Sequence, residues 1–203
     1  MRDATEALIV IDVQNDFCPG GALAVTGGDE IVAGINQLMA EFQTVVATQD
    51  WHPANHLSFA SNHPGAAPFS LTAMDYGMQV LWPDHCVIGT KGADFHSGLN
   101  LDPVQMIIRK GFRAPIDSYS AFFENDRKTP TGLEGYLRAR GVTSVTLVGL
   151  ATDFCVAYSG LDAAALGFEA VLRADLCRAI DLDGSLDAAK GQLGAAGVRI
   201  AQG

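Results

Sequence analysis

The sequence predicts an α/β fold: a doubly wound, mainly parallel sheet of about six strands with helices on both faces, in three layers. Three observations carry this expectation. Short apolar, β-branched runs recur along the chain. These runs are close to continuously apolar, the mark of strands buried on both faces rather than one. Helical patterns lie between most of them, supplying the crossovers that parallel neighbours require.

In chain order, Ala7–Ile11 is the first strand. Glu30–Phe42 follows as a helix, with Ile31, Ile35, Leu38, Met39 and Phe42 on one stripe. Thr44–Thr48 is the second strand and Val104–Ile108 the third. Thr131–Arg140 reads as a helix that opens with Thr131-x-x-Glu134, the pattern of a capping box, and ends at Gly141. Val145–Leu150 is the fourth strand, and Phe154–Leu166 a helix closed by Gly167. Ala170–Arg173 is the fifth strand, Ser185–Ala196 a helix ended by Gly197, and Val198–Ala201 the sixth strand. The exception to this rhythm is the segment from about 50 to 95, rich in His, Pro, Gly and aromatics and poorly periodic. A segment of that length inside one domain is expected to be functional.

The 203 residues suit a single domain over 1–203, and 48% hydrophobic content supplies a sizeable core. A net charge of −10 gives no basic patch for phosphate backbones or anionic membrane surfaces, so neither nucleic acid nor membrane is an expected partner. No apolar run reaches the roughly 18 residues of a membrane span. Asp3, Glu6 and Asp12 break the pattern of a signal peptide, and Cys18, Cys86, Cys155 and Cys177 include no CxxC. The expectation is a cytoplasmic protein with free thiols.

Ligands of such sheets bind beyond the carboxyl ends of the strands, near the switch in strand order. The residues at those ends are Asp12 after the first strand, Asp50 and His52 after the second, Lys110 after the third and Cys155 after the fourth. Cys155 falls in the first turn of its helix, after the short Ala151-Thr152-Asp153 turn, where unpaired N–H groups and the helix dipole favour a thiolate. A lone cysteine there is also a small hydrophobe. Asp12 is either a general base or a structural carboxylate bonded to loop N–H groups. Lys110 either stabilises the thiolate or snorkels to solvent. Asp50 and His52, two apart in an extended segment, point the same way and suit one metal, with His85 a third donor. Two imidazoles and a carboxylate leave positions open, as in a working rather than a structural site. His56 and Ser58 lie in the same stretch, and His63 and His96 have no supporting spacing. Phe17, Trp51 and Trp82 flank these polar residues and can wall a slot for a flat ring, or serve as core.

Five anchors in the same order now resemble a known family. They are Asp12-Val13-Gln14-Asn15-Asp16-Phe17-Cys18 with Gly20-Gly21, Thr48-Gln49-Asp50-Trp51-His52-Pro53, Trp82-Pro83-Asp84-His85-Cys86-Val87, Lys110-Gly111, and Gly149-Leu150-Ala151-Thr152-Asp153-Phe154-Cys155-Val156. Together they resemble bacterial nicotinamidases of the pyrazinamidase type, within the isochorismatase-like cysteine hydrolases, over nearly the whole chain. The resemblance implies a triad of Asp12, Lys110 and Cys155 and an oxyanion hole from the backbone N–H groups of Ala151 and Cys155. It implies one divalent metal, zinc, iron or manganese, on Asp50, His52 and His85, which makes the 50–95 segment a metal-binding insertion. Phe17 and Trp82 match the residues that sandwich a pyridine ring, with Leu150 and Tyr119 bordering the pocket, and the peptide before Ala151 is expected to be cis. The implied activity is hydrolysis of nicotinamide, and of pyrazinamide, to the acid and ammonia through a Cys thioester, serving NAD salvage, in a monomer or homo-oligomer. Two alternatives stand beside it: a metal-independent carbamoyl or ureido amidohydrolase of the same superfamily, and a non-catalytic metal or thiol redox sensor.

Overall fold

The computed structural model describes residues 1–203. Its strands are β1 (Glu6–Ile11), β2 (Thr44–Asp50), β3 (Leu71–Met74), β4 (Gly77–Val80), β5 (Met106–Lys110), β6 (Ser144–Leu150), β7 (Glu169–Arg178) and β8 (Arg199–Ala201). Its α-helices are α1 (Val32–Met39), α2 (Leu133–Ala139), α3 (Ala157–Ala165) and α4 (Ser185–Ala195). Six strands form one sheet in the order β5-β2-β1-β6-β7-β8, and every pairing in it is parallel. β1 lies inside the sheet, which is why Ala7 to Ile11 are all fully buried. Each large side chain in such a run contributes roughly 2–5 kcal/mol, judged by truncation to Ala.

The order explains where a site can form. From β1 the chain steps outward through β2 to β5, then returns to the other side of β1 with β6 and steps outward again. Right-handed crossovers therefore place helices on opposite faces on the two sides of β1, and α3 and α4 pack together. The crevice at the switch opens where β1 and β6 end, in the register Ile11↔Gly149. Gly149 has φ +117°, and a Cβ there would stand 2.1 Å from the Ile11 carbonyl oxygen, so only glycine lets the two strands close beside the site.

The structure departs from the sequence expectation at several elements. The third sheet strand runs from Met106 to Lys110, two residues later than Val104–Ile108. It is an edge strand, buried only at alternate positions, with Ile107 and Arg109 outward, so a run of apolar letters misled about both its burial and its bounds. β7 extends to Arg178, because its pairing with β6 jumps from Leu147↔Leu172 to Gly149↔Cys177 across an irregularity. The segment after β2 contains an antiparallel hairpin, β3 with β4, that the sequence did not announce. The capping box at Thr131 does not form: its hydroxyl donates to the Ala121 carbonyl (2.6 Å), Gly132 takes the cap position, and Glu134 faces Arg138 (3.6 Å). The helix placed at Phe154–Leu166 begins instead as a π-helical turn, Thr152–Val156, and only then becomes α3.

Candidate functional site

Asp12 follows β1 directly and is fully buried, with backbone φ +49°, an uncommon conformation for a residue with a Cβ. Thr48 in β2 holds it at two points. The Thr48 hydroxyl donates to Asp12 Oδ1 (2.6 Å) and accepts from the Asp12 backbone N–H (3.2 Å). The other oxygen, Oδ2, stands 2.8 Å from Lys110 Nζ, in an ion pair whose angles leave Oδ2 without a directed hydrogen bond. Lys110 ends β5 and is fully buried. Its ammonium also donates to Asp50 Oδ1 and to the Ser118 carbonyl (2.8 Å), and lies 3.4 Å from Cys155 Sγ. Three protons thus face four acceptors, and the sulfur is the most distant of them.

Electrostatics here follow from burial. Burial alone lowers the Lys110 pKa, but Asp12 and Asp50 outweigh it and hold the group well above its ordinary value, as an ammonium. Burial pushes the Cys155 thiol well above the usual range; Lys110 pulls it down, and Asp12 and Asp50 push it up again. Burial and the two carboxylates thus oppose the thiolate that a helix N-terminus favours, with Lys110 acting the other way. The half-charge of a helix dipole is outweighed by burial and two carboxylates. Burial raises the Asp12 carboxyl to about 6, against the pull of Lys110 and with a further push from Asp50. A carboxylate in that range, with an open lone pair and within 4.8 Å of the sulfur, is suited to accept the thiol proton.

The second cluster is Asp50, His52 and His85. Beyond β2 the chain pairs with residues 86–88, as His52 N–H donates to the Cys86 carbonyl (3.0 Å) and Ile88 N–H to the His52 carbonyl (2.8 Å). That pairing returns His85 to the end of β2. His52 Nδ1–H donates to the Gly111 carbonyl (2.8 Å) and His85 Nδ1–H to the Pro83 carbonyl (2.8 Å). A carbonyl only accepts, so in both rings Nε2 carries the free lone pair. The two Nε2 atoms lie 3.7 and 3.9 Å from Asp50 Oδ2. Bonds of about 2.0–2.2 Å to one ion set donor separations of about 3.0–3.6 Å, so the three donors fit a divalent metal after small inward shifts. His56 does not join them. Its Nδ1 accepts from Ser58 N–H (3.2 Å) beside the Ser58 hydroxyl (2.7 Å), and its Nε2–H donates to the Ile116 carbonyl (3.3 Å).

Both clusters open on one narrow cavity lined mostly by apolar side chains. Asp50, His85, Cys155 and Ala151 line it, with Phe17, Trp82 and Tyr119 in its walls, and carboxylate oxygens of Asp50 and Asp12 lie within 4.8 Å of the Cys155 sulfur. Trp82 is fixed edge-on against Phe154 (4.9 Å between centroids), and its indole N–H donates to the Tyr119 hydroxyl (3.0 Å). The Leu150–Ala151 peptide is cis. Two expected contributors are elsewhere. Leu150 is fully buried and does not line the cavity; its Cδ1 packs toward Gly28. Trp51 lies under the Arg109 guanidinium (3.9 Å to the ring centroid).

Sequence reading missed Leu23, Phe154, Ile180 and Asp117 in the cavity wall, and Thr48 beneath Asp12. It also assigned no role to Gln14, whose amide donates to the Asp50 carbonyl (2.9 Å) and accepts from Asp50 N–H (2.8 Å), fixing the end of β2. Asp153 fastens the π turn by accepting from Ile180 N–H (3.1 Å) and Asp181 N–H (2.8 Å). Only the position of Thr48 in the second strand, two residues before Asp50, was visible as a signal.

The Isochorismatase domain family matches residues 6–202. A nicotinamidase of Acinetobacter baylyi is 56% identical over 193 residues, covering 95% of this chain and 90% of that protein. The solved structure of an Acinetobacter baumanii nicotinamidase and pyrazinamidase superposes with TM-score 0.98 at 54% identity, covering 100% of this chain and 98% of the other. A Pyrococcus horikoshii pyrazinamidase solved in complex with zinc superposes with TM-score 0.78 at 36% identity, covering 98% of this chain and 99% of the other.

Proposed function

The chain belongs to the isochorismatase family, and from that premise we propose that it is a nicotinamidase, hydrolysing nicotinamide and pyrazinamide to the acid and ammonia. One observation carries the reading: a thiol–ammonium–carboxylate cluster and a two-imidazole–carboxylate cluster stand side by side, joined through Lys110 and Asp50, at one cavity walled by aromatic rings. A flat ring between Phe17 and Trp82, with its nitrogen toward His85 and its carboxamide toward Cys155, uses both clusters.

In this reading Asp12 Oδ2 takes the Cys155 proton as the sulfur forms its bond to the carboxamide carbon. Lys110 holds the negative charge of both partners in place. The N–H groups of Ala151 and Cys155 receive the developing oxyanion, each donor being worth about 3 kcal/mol. Asp12 then returns the proton to the leaving nitrogen, the C–N bond breaks, and ammonia departs from a thioester. Water, deprotonated by Asp12, replaces the sulfur and releases the acid. Asp50, His52 and His85 would hold a divalent ion, zinc, iron or manganese as the family resemblance implies, which would supply an electrophilic anchor for the ring nitrogen. The product nicotinate feeds NAD salvage.

The test is ammonia release from nicotinamide by the purified chain, with and without chelator, beside Cys155→Ala. Expected are turnover by the native chain, none by Cys155→Ala with fold and metal content retained, and loss of bound metal in His52→Ala and His85→Ala. Release of ammonia from carbamoyl or ureido compounds, but not from nicotinamide, and unaffected by chelator, refutes the assignment and favours the metal-independent branch.

A further inference from the structure

Asp117 is a buried carboxylate with no part in the chemistry above. It is 2% exposed and lines the cavity together with Asp50 and His85. Its Oδ1 accepts from Ser118 N–H (2.8 Å) and its Oδ2 from Gln79 Nε2 (2.8 Å). No Lys or Arg ion pair of the protein includes it. One of its oxygens and ring nitrogens of His52 and His56 lie within 4.8 Å of one another. His56 has both nitrogens engaged, so these three residues are not a second metal centre.

Charge explains the placement. Asp50 and Asp117 line the cavity, Asp12 is buried beside it against Lys110, and Lys110 is the single buried ammonium among the three carboxylates. Three negative charges against one positive leave two uncompensated, and buried charge without a counter-charge is costly. A divalent cation removes that excess.

We propose that Asp117 is an outer carboxylate of the metal centre, which strengthens cation binding by its charge from beside His52 without coordinating the ion. This rests on the reading of Asp50, His52 and His85 as the metal ligands. Gln79 makes the idea testable, because it is 1% exposed and its side-chain oxygen already has two donors. Its Oε1 accepts from Tyr76 OH (3.1 Å) and Asn125 Nδ2 (3.2 Å), and its amide donates to Asp117 Oδ2, Tyr119 OH and the Val80 carbonyl (2.8 Å each). A carboxylate at position 79 keeps the two donors to Oε1, one hydrogen bond from where the charge of Asp117 now stands.

The experiment measures Zn²⁺ affinity of chelator-stripped protein by competition with a chromophoric chelator. Wild type, Asp117→Asn and the double variant Asp117→Asn/Gln79→Glu are compared. Asp117→Asn is expected to bind Zn²⁺ about 10–100-fold more weakly. The double variant, with charge restored nearby, is expected to return to within about threefold of wild type; a residue that only shapes the loop is not rescued by a displaced charge. Wild-type affinity in Asp117→Asn, or a double variant as weak as the single one, overturns the proposal. A wild-type chain that takes up no Zn²⁺ overturns the metal reading itself, and the role of Asp117 with it.

Discussion

Gly111→Ala tests the orientation of the metal-facing histidine without touching a donor atom. Gly111 has φ +68°, and a Cβ built there stands 2.4 Å from His52 Cε1 and 2.7 Å from its Nδ1. The left-handed backbone costs a residue with a Cβ about 1–2 kcal/mol. The ring cannot simply step aside. It packs against His56 at 4.4 Å, His85 at 5.0 Å and Phe59 at 5.4 Å between centroids, and Nδ1 is bonded to the Gly111 carbonyl itself. Overpacking of this kind adds about 1–3 kcal/mol. The total is a destabilisation of about 2–5 kcal/mol, or about 4–20 °C in melting temperature for a chain of this size. Displacing the His52 ring from the residue-111 carbonyl that sets its tautomer is expected to weaken metal binding at least about tenfold. Thermal melting and chelator competition read the two effects separately. A variant that melts within 1–2 °C of wild type and binds metal as tightly refutes the claim that this glycine sets the ring.

Three further outcomes follow from particular contacts. Thr48→Val keeps the shape of the side chain but strands Asp12 Oδ1 and the Asp12 N–H; buried groups left unpaired cost about 1–3 kcal/mol each, so kcat is expected to fall about tenfold or more with a smaller change in KM, and an unchanged kcat removes Thr48 from the support of Asp12. Phe17→Ala deletes one wall of the cavity, and about 1.5–3 kcal/mol of buried aromatic surface is expected to appear as a ten- to hundredfold rise in KM for nicotinamide; a loss confined to kcat contradicts a ring-binding role. Burial and Asp29 push the Cys18 thiol up to about 11. The raised value keeps Cys18 protonated through neutral pH, so its alkylation rate, followed by mass spectrometry from pH 7 to 10, is expected to climb about tenfold per pH unit; a plateau below pH 9 contradicts it.

The central strands were readable because burial on both faces leaves no room for polar letters, as in Ala7–Ile11 and Val145–Leu150. Edges were not. β5 needs only one apolar face, so Val104 and Gln105 counted toward a strand that begins at Met106. β3 and β4 escaped because a hairpin that exposes Leu71 and Met78 shows no clean alternation. Asp12, Lys110 and Cys155 were legible from position alone, since strand order in a doubly wound sheet brings such residues to one edge. Their protonation was not, because it depends on how many charges share one dry volume. Asp117 and Gln79 were invisible for a different reason. Each is a polar residue outside the strand ends, and only the folded loops reveal that both are buried against the cavity.

Lys110 Nζ reaches Asp12 Oδ2 on one side and Asp50 Oδ1 on the other. One ammonium therefore serves as counter-ion to both Asp12 and Asp50. Removing Asp50 gives Asp12 a larger share of that charge, and removing Asp12 does the same for Asp50. Single substitutions at the two positions then each include part of the other's effect, so their losses are not additive and a double-mutant cycle is expected to return a coupling free energy well away from zero. On the proposed reading, metal loading and thiol deprotonation become one linked equilibrium, joined at a single ammonium.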